Sequence, residues 1–152
     1  MVTAANPAKA GEEVVVYAVG LGQTTPVVNS GEATPSDAPE LDRSVYVQFD
    51  FRPNAIPTRP YHDTSTAGIF GFAIPQFVGL TPNQIGLYQI NIQLPSRFPP
   101  VQPCVTGLFA AGGLTTIVGS NLTIDIGGLN GLGLGSVTSF DGAAICVEAP
   151  TN

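Results

Sequence analysis

Glycine and proline fall so often along this chain that no helix of ordinary length fits between them. The longest run free of both is residues 40–52, between Pro39 and Pro53. Within it Val45, Val47, Phe49 and Phe51 alternate with Tyr46, Gln48 and Asp50, the two-residue period of a strand with one buried face. Every other run is shorter, whereas helices in globular proteins average about three turns and shorter ones are marginal alone. The expectation is therefore an all-β fold. The 18 glycines and 14 prolines show no three-residue period, which excludes a collagen-like chain. Hydrophobic residues make up 43% and charged residues only 11%, the opposite of a disordered composition. A chain of 152 residues can bury one substantial core, so residues 1–152 are expected to form a single domain, with 1–10 as a lead-in.

Residues 12–21 read EEVVVYAVGL, a nearly continuous β-branched run that predicts a strand buried on both faces, Tyr17 included. Residues 86–94 carry the clearest alternation. Tyr88, Ile90, Ile92 and Leu94 should face the core, and Gln89, Asn91 and Gln93 should face away. Further strands are expected at 44–51, 69–74, 77–80, 104–110, 114–118, 121–126 and 143–148. That makes about eight or nine, at the spacing of an immunoglobulin-like antiparallel β-sandwich. Two proline-rich stretches, 23–41 and 52–67, are longer than ordinary connections and are where such folds carry binding surfaces. Covering the sheet edges is the competing role for them.

Charge narrows the function classes. The net charge is −6, and Lys9, Arg43, Arg52, Arg59 and Arg97 are scattered singly. A nucleic-acid binder needs clustered cations to displace condensed counterions, so none is expected here. No apolar run approaches a transmembrane length, so membrane insertion is not expected either. Met1-Val2-Thr3-Ala4-Ala5 lacks the charged start and apolar middle of a signal peptide. The expectation is a fragment whose larger parent carries the export signal elsewhere.

Cys104 and Cys146 are the only two cysteines. In an exported β-domain such a pair is usually bridged, and closing a loop of about 43 residues contributes on the order of 4 kcal/mol. Ile145 and Val147 should point inward, leaving Cys146 in the outward phase of Ala144 and Glu148. The bridge is thus expected on an outer face, between neighbouring strands or between a strand and a loop. The chain has no Trp, which separates this bridge from the antibody core disulfide that packs on one. Two free buried thiols are the alternative.

Catalytic patterns are thin. His62 is the only histidine and lies in Tyr61-His62-Asp63 within a proline-rich stretch. Adjacent residues do not easily reach the geometry of a nucleophile, base and orienting acid, and no G-x-S-x-G elbow is present. One histidine and a bridged cysteine pair leave too few ligands for zinc. Asp37, Glu40 and Asp42 could offer oxygen ligands to calcium, but without the loop spacing of a calcium motif; surface solubility is the simpler role. The glycine-rich residues 127–135 match no phosphate-binding pattern and read as a connection that uses positive φ angles. Asn121-Leu122-Thr123 fits the glycosylation triplet, one that arises often by chance. No cofactor is expected. The candidate ligand-facing residues are Tyr46, Tyr61, His62 and Asp63.

Two blocks carry a resemblance. The first is Asn6-Pro7-Ala8-Lys9-Ala10-Gly11-Glu12, running into Val15-Val16-Tyr17-Ala18-Val19-Gly20-Leu21-Gly22. The second is Phe77-Val78-Gly79-Leu80-Thr81-Pro82 followed by Gly86-Leu87-Tyr88-Gln89-Ile90-Asn91-Ile92-Gln93-Leu94-Pro95. Together with the closing strand they resemble the Solibacter-type uncharacterised C-terminal domain family of large exported acidobacterial proteins. The resemblance implies an immunoglobulin-like fold at the end of a long secreted chain, and it brings no catalytic residues with it. This chain departs from that pattern in its longer middle segment, 52–68, and in the Cys104/Cys146 pair.

These features lead to the expectation of a non-catalytic accessory or adhesion module, extracellular or at the cell surface. Its partners would be neighbouring domains of the parent chain, an extracellular polysaccharide or a surface protein. A carbohydrate-binding module on a secreted hydrolase, with Tyr46 or Tyr61 exposed on a flat face, is the alternative. A small hydrolase built on loop carboxylates is a third reading.

Overall fold

The computed structural model describes residues 1–55, 72–105, 109–111, 114–128 and 143–150. Among these residues all regular structure is strand. The elements are β1 (Glu13–Val19), β2 (Thr24–Thr25), β3 (Glu40–Leu41), β4 (Val45–Asp50), β5 (Phe72–Ala73), β6 (Phe77–Leu80), β7 (Leu87–Gln93), β8 (Phe109–Ala111), β9 (Leu114–Thr116), β10 (Leu122–Gly128) and β11 (Ala143–Ile145). One sheet has the order β1-β7-β6-β3-β2, the other β11-β10-β4-β5, and β8 pairs with β9 in a separate ribbon. Every strand pairing is antiparallel. The chain is an all-β, two-sheet sandwich.

Alternation on four long strands builds the core. Val45, Val47 and Phe49 of β4 and Leu122, Ile124 and Ile126 of β10 line one inner face; Val14 of β1 and Ile90 and Ile92 of β7 line the other, with Leu94 just beyond β7. Register keeps these sets together, because Phe49 lies opposite Ile124 and Val47 opposite Ile126. On the facing sheet Val14 is paired with Ile92 and Val16 with Ile90. Fully burying each such side chain contributes about 1.5–3 kcal/mol. Phe51 and Phe98, with ring centroids 5.6 Å apart, extend this core beyond the end of β4. The expected inward set Tyr88, Ile90, Ile92 and Leu94 is buried throughout.

Four sequence expectations are corrected. β1 is not buried on both faces: it is an edge strand, with Val14 buried but Val15 44%, Tyr17 59% and Val19 75% exposed. The facing sheet of the sandwich covers only the inner face of β1, and a continuous β-branched run does not reveal which face that is. The stretch 23–41 is not wholly a loop, since β2 and β3 pair within it and β3 joins β6. Buried Thr34 pins its middle to the β6–β7 turn through bonds from its N and Oγ1 to the Gln84 carbonyl, 2.9 and 2.8 Å. Gly127 and Gly128 do not open a positive-φ connection; they finish β10 opposite Tyr46 and Val45. A Cβ on Gly127 would lie 2.5 Å from the Tyr46 ring, so glycine is what lets that ring lie on the strand. Finally, Cys104 and Val105 precede β8 rather than belonging to it.

Candidate functional site

Cys104 and Cys146 are bonded to each other. Cys146 directly follows β11, and Cys104 sits on the segment before β8, so the bridge ties a strand end to a loop. The outward phase holds for exposed Ala144 and Glu148, with Val147 buried between. Yet Cys146 itself is covered. Its Sγ lies 3.4 Å from the Gly119 carbonyl oxygen, and Val105 N donates to Val118 O at 3.0 Å, which lays the Cys104 segment over it.

Asn121 lies beside this bridge and is 0% exposed. Its Nδ2 donates to the Gln102 and Val147 carbonyls at 2.8 and 2.9 Å, and its Oδ1 accepts from Val147 N at 2.7 Å. The amide joins three separate segments and has no access to a glycosylating enzyme in the folded chain. The Asn121-Leu122-Thr123 triplet is structural.

The outer face of the four-stranded sheet is polar and largely enclosed. Asp50, Thr123 and Asp125 are buried, and Tyr46 and Gln48 are half-buried. Register sets Asp50 opposite Thr123 and Gln48 opposite Asp125. Arg52 closes a bidentate pair on Asp50, with Nε–Oδ1 2.8 Å and Nη2–Oδ2 2.6 Å. Thr123 Oγ1 donates to the Ala55 carbonyl at 3.2 Å. Asn54, at φ 50, donates through Nδ2 to Ile117 O at 2.6 Å and accepts from Gly119 N at 2.8 Å. Residues 52–55 are therefore stitched back across the start of β10. The sequence places Tyr46, Gln48 and Asp50 on one face of a strand, but of these polar residues only Tyr46 is a ligand-facing candidate from sequence.

An open, shallow cleft of about 690 Å³ lies at the β2–β3 end, lined among others by Asp37, Glu40, Asp42 and Arg43. All three carboxylates are exposed. Among the described residues no group of three or more His, Cys, Asp or Glu side chains is placed to hold a metal ion. Of the four candidate ligand-facing residues, Tyr46 lies on β4 with its ring against Gly127. Tyr61, His62 and Asp63 lie outside the described residues, as do residues 129–135 of the glycine-rich stretch.

The feature missed from sequence is the outer face of β1. Val15, Tyr17 and Val19 stand exposed in a row, and Ile85, beyond the start of β7, is 63% exposed. Beside them runs a line of amides. Tyr17 is opposite Gln89 and Val15 opposite Asn91, with Gln89 Nε2 donating to Asn91 Oδ1 at 3.3 Å. The charge of Glu13, within reach of Asn91 Nδ2 at 3.5 Å, ends the row. Only Tyr88, of the two tyrosines expected inside, is buried; its hydroxyl donates to the Gly22 carbonyl.

Fold and surface together define a disulfide-linked two-sheet β-sandwich with an apolar stripe on one edge strand. No family model, no curated protein and no solved structure matches the chain. Among the described residues no helix is long and apolar enough to cross a membrane.

Proposed function

We propose that this chain is a non-catalytic accessory or adhesion module of an exported bacterial protein, working at the cell exterior through the outer face of β1. The observation that carries the reading is the row Val15, Tyr17 and Val19, exposed on a seven-residue edge strand. Clustered apolar exposure beside an unpaired sheet edge is characteristic of contact surfaces. Export is supported by the Cys104–Cys146 bridge, because such bonds persist in oxidising compartments. The immunoglobulin-like assignment is supported by the chain's changes of sheet between β3 and β4, β5 and β6, and β7 and β10. Membership of the Solibacter-type C-terminal domain family rests on the two sequence blocks that spell β1 with its lead-in and the β6–β7 hairpin.

A direct test is surface retention. A secreted reporter fused to the chain should stay with cells or matrix, and the Val15→Lys/Tyr17→Lys variant should release it to the medium. Equal retention of both would overturn the reading. One observation favours a carbohydrate-binding alternative: Tyr17 is an exposed aromatic on the outer sheet face, beside Gln89 and Asn91 of β7, groups able to stack on and hydrogen-bond a sugar. Saturable polysaccharide binding abolished by Tyr17→Ala would establish that alternative.

A further inference from the structure

We propose that the partner at β1 is a second copy of this chain, its β1 pairing antiparallel with the first around a two-fold axis through Val16. The inference rests on the reading of β1 as the contact surface and names its occupant.

Backbone parity comes first. In the β1–β7 register, Leu94 N donates to Glu12 O at 3.0 Å. Antiparallel ladders alternate bonded and non-bonded pairs. Val14, Val16 and Ala18 therefore spend their backbone groups on β7, and Glu13, Val15, Tyr17 and Val19 direct theirs to the open edge. No described strand takes them, because β1 ends its sheet. A copy paired about Val16 sets Glu13 opposite Val19 and Val15 opposite Tyr17, so each free residue of one edge meets a free residue of the other. All of β1 is used, with no overhang.

Side chains agree with that register. Val15 against Tyr17 is a β-branched–aromatic pair, a favourable cross-strand combination. It occurs twice by symmetry, on the face where both residues stand exposed. On the inner face, Val16 and Ala18 pack against the core yet remain only partly buried, and the copy's equivalents would cover them.

Charge selects the orientation. A parallel pairing would stack Glu13 on Glu13, whereas the antiparallel one separates the two carboxylates by about 20 Å, six strand residues. Closure selects the stoichiometry. Among the described residues the remaining sheet edges are the two-residue β2 and β5, the three-residue β11 and the three-residue β8 and β9 of the separate ribbon, and the Ala8 segment bonds alongside β11 at Cys146 and Glu148. An isologous contact that consumes the single long edge stops at a dimer.

Sedimentation equilibrium of the whole chain, from about 1 μM to about 1 mM, tests this. A reversible monomer–dimer equilibrium is expected. It should tighten as salt screens the repulsion between two chains of net charge −6. Val15→Lys should weaken the dimer at least about tenfold, because a lysine on a sheet edge opposes pairing with another strand. Val19→Lys should not, because in this register alone the new ammonium faces Glu13 of the copy. Val27→Lys, at an exposed site off the strand, is the control and should change nothing. Circular dichroism melts verify that each variant is folded. A wild-type chain that stays monomeric throughout, or Val19→Lys weakening the dimer as much as Val15→Lys, would overturn the proposal. If the chain is monomeric but surface retention still depends on Val15 and Tyr17, the second copy falls and the contact surface stands. If retention is indifferent as well, both fall.

Discussion

Replacing Asn121 by Ala should be among the most damaging single changes in this chain. The substitution removes three hydrogen bonds, to Gln102 O, Val147 O and Val147 N. Their loss is unequal. Gln102 is exposed, so water can take over its carbonyl, but Val147 is 1% exposed, and its N–H and C=O lose their partners in a dry site. An unsatisfied buried backbone group costs about 1–3 kcal/mol. Two of them, less the relieved desolvation of the amide itself, give about 3–4 kcal/mol. At about 2–4 °C per kcal/mol for a domain of this size, Tm should fall by about 6–16 °C. Asn121→Asp should be no better, because it keeps the acceptor for Val147 N but points a second oxygen at two carbonyls. The chain has no Trp, so far-UV circular dichroism during guanidinium titration is the suitable assay. A loss below about 1 kcal/mol with unchanged m would mean that water replaces the amide, and would refute the claim that this junction is dry.

Two further outcomes follow from the same geometry. Replacing both Cys104 and Cys146 with Ser should cost about 4 kcal/mol for a bridge spanning a separation of 42 residues. Combined with Asn121→Ala it should cost measurably less than the sum, because both devices hold the residues just after β11; strict additivity in guanidinium titration would refute that coupling. Gly127→Ala should destabilise by about 1–3 kcal/mol, since its Cβ meets the Tyr46 ring at 2.5 Å. Adding Tyr46→Ser should recover most of that loss in thermal melts, and no recovery would show that strand geometry, rather than the ring, demands the glycine.

The class of fold was legible from breaker spacing and from the two-residue alternation, most clearly at β4 and β7, whose inward sets are buried as expected. The Cys104–Cys146 pairing was legible from composition. The burial of β1 was not. Val14-Val15-Val16 offers apolar groups to both faces, and only the strand's place at the end of its sheet decides that Val15 points into solvent. The two-residue strands β2 and β3 escaped because they are too short to show a period, and they exist through pairing with each other and with β6. Asn121 looked like a glycosylation triplet because a sequence does not show which amide will be walled in by segments 19 and 26 residues away.

The junction at Ala8 has a mechanical meaning. Ala8 and Val147 form a parallel bridge, with Ala8 N bonded to Cys146 O and Glu148 N to Ala8 O, both at 2.9 Å. Tension applied at residues 1 and 150 pulls these neighbours past each other, loading both bonds together instead of peeling them in turn. Once they slip, force travelling from the far end reaches Cys146 and crosses at once to Cys104. The residues between them are bypassed and cannot pay out. An intact bridge therefore withholds about 140 Å of contour length from a stretched chain, and a reducing environment would release it.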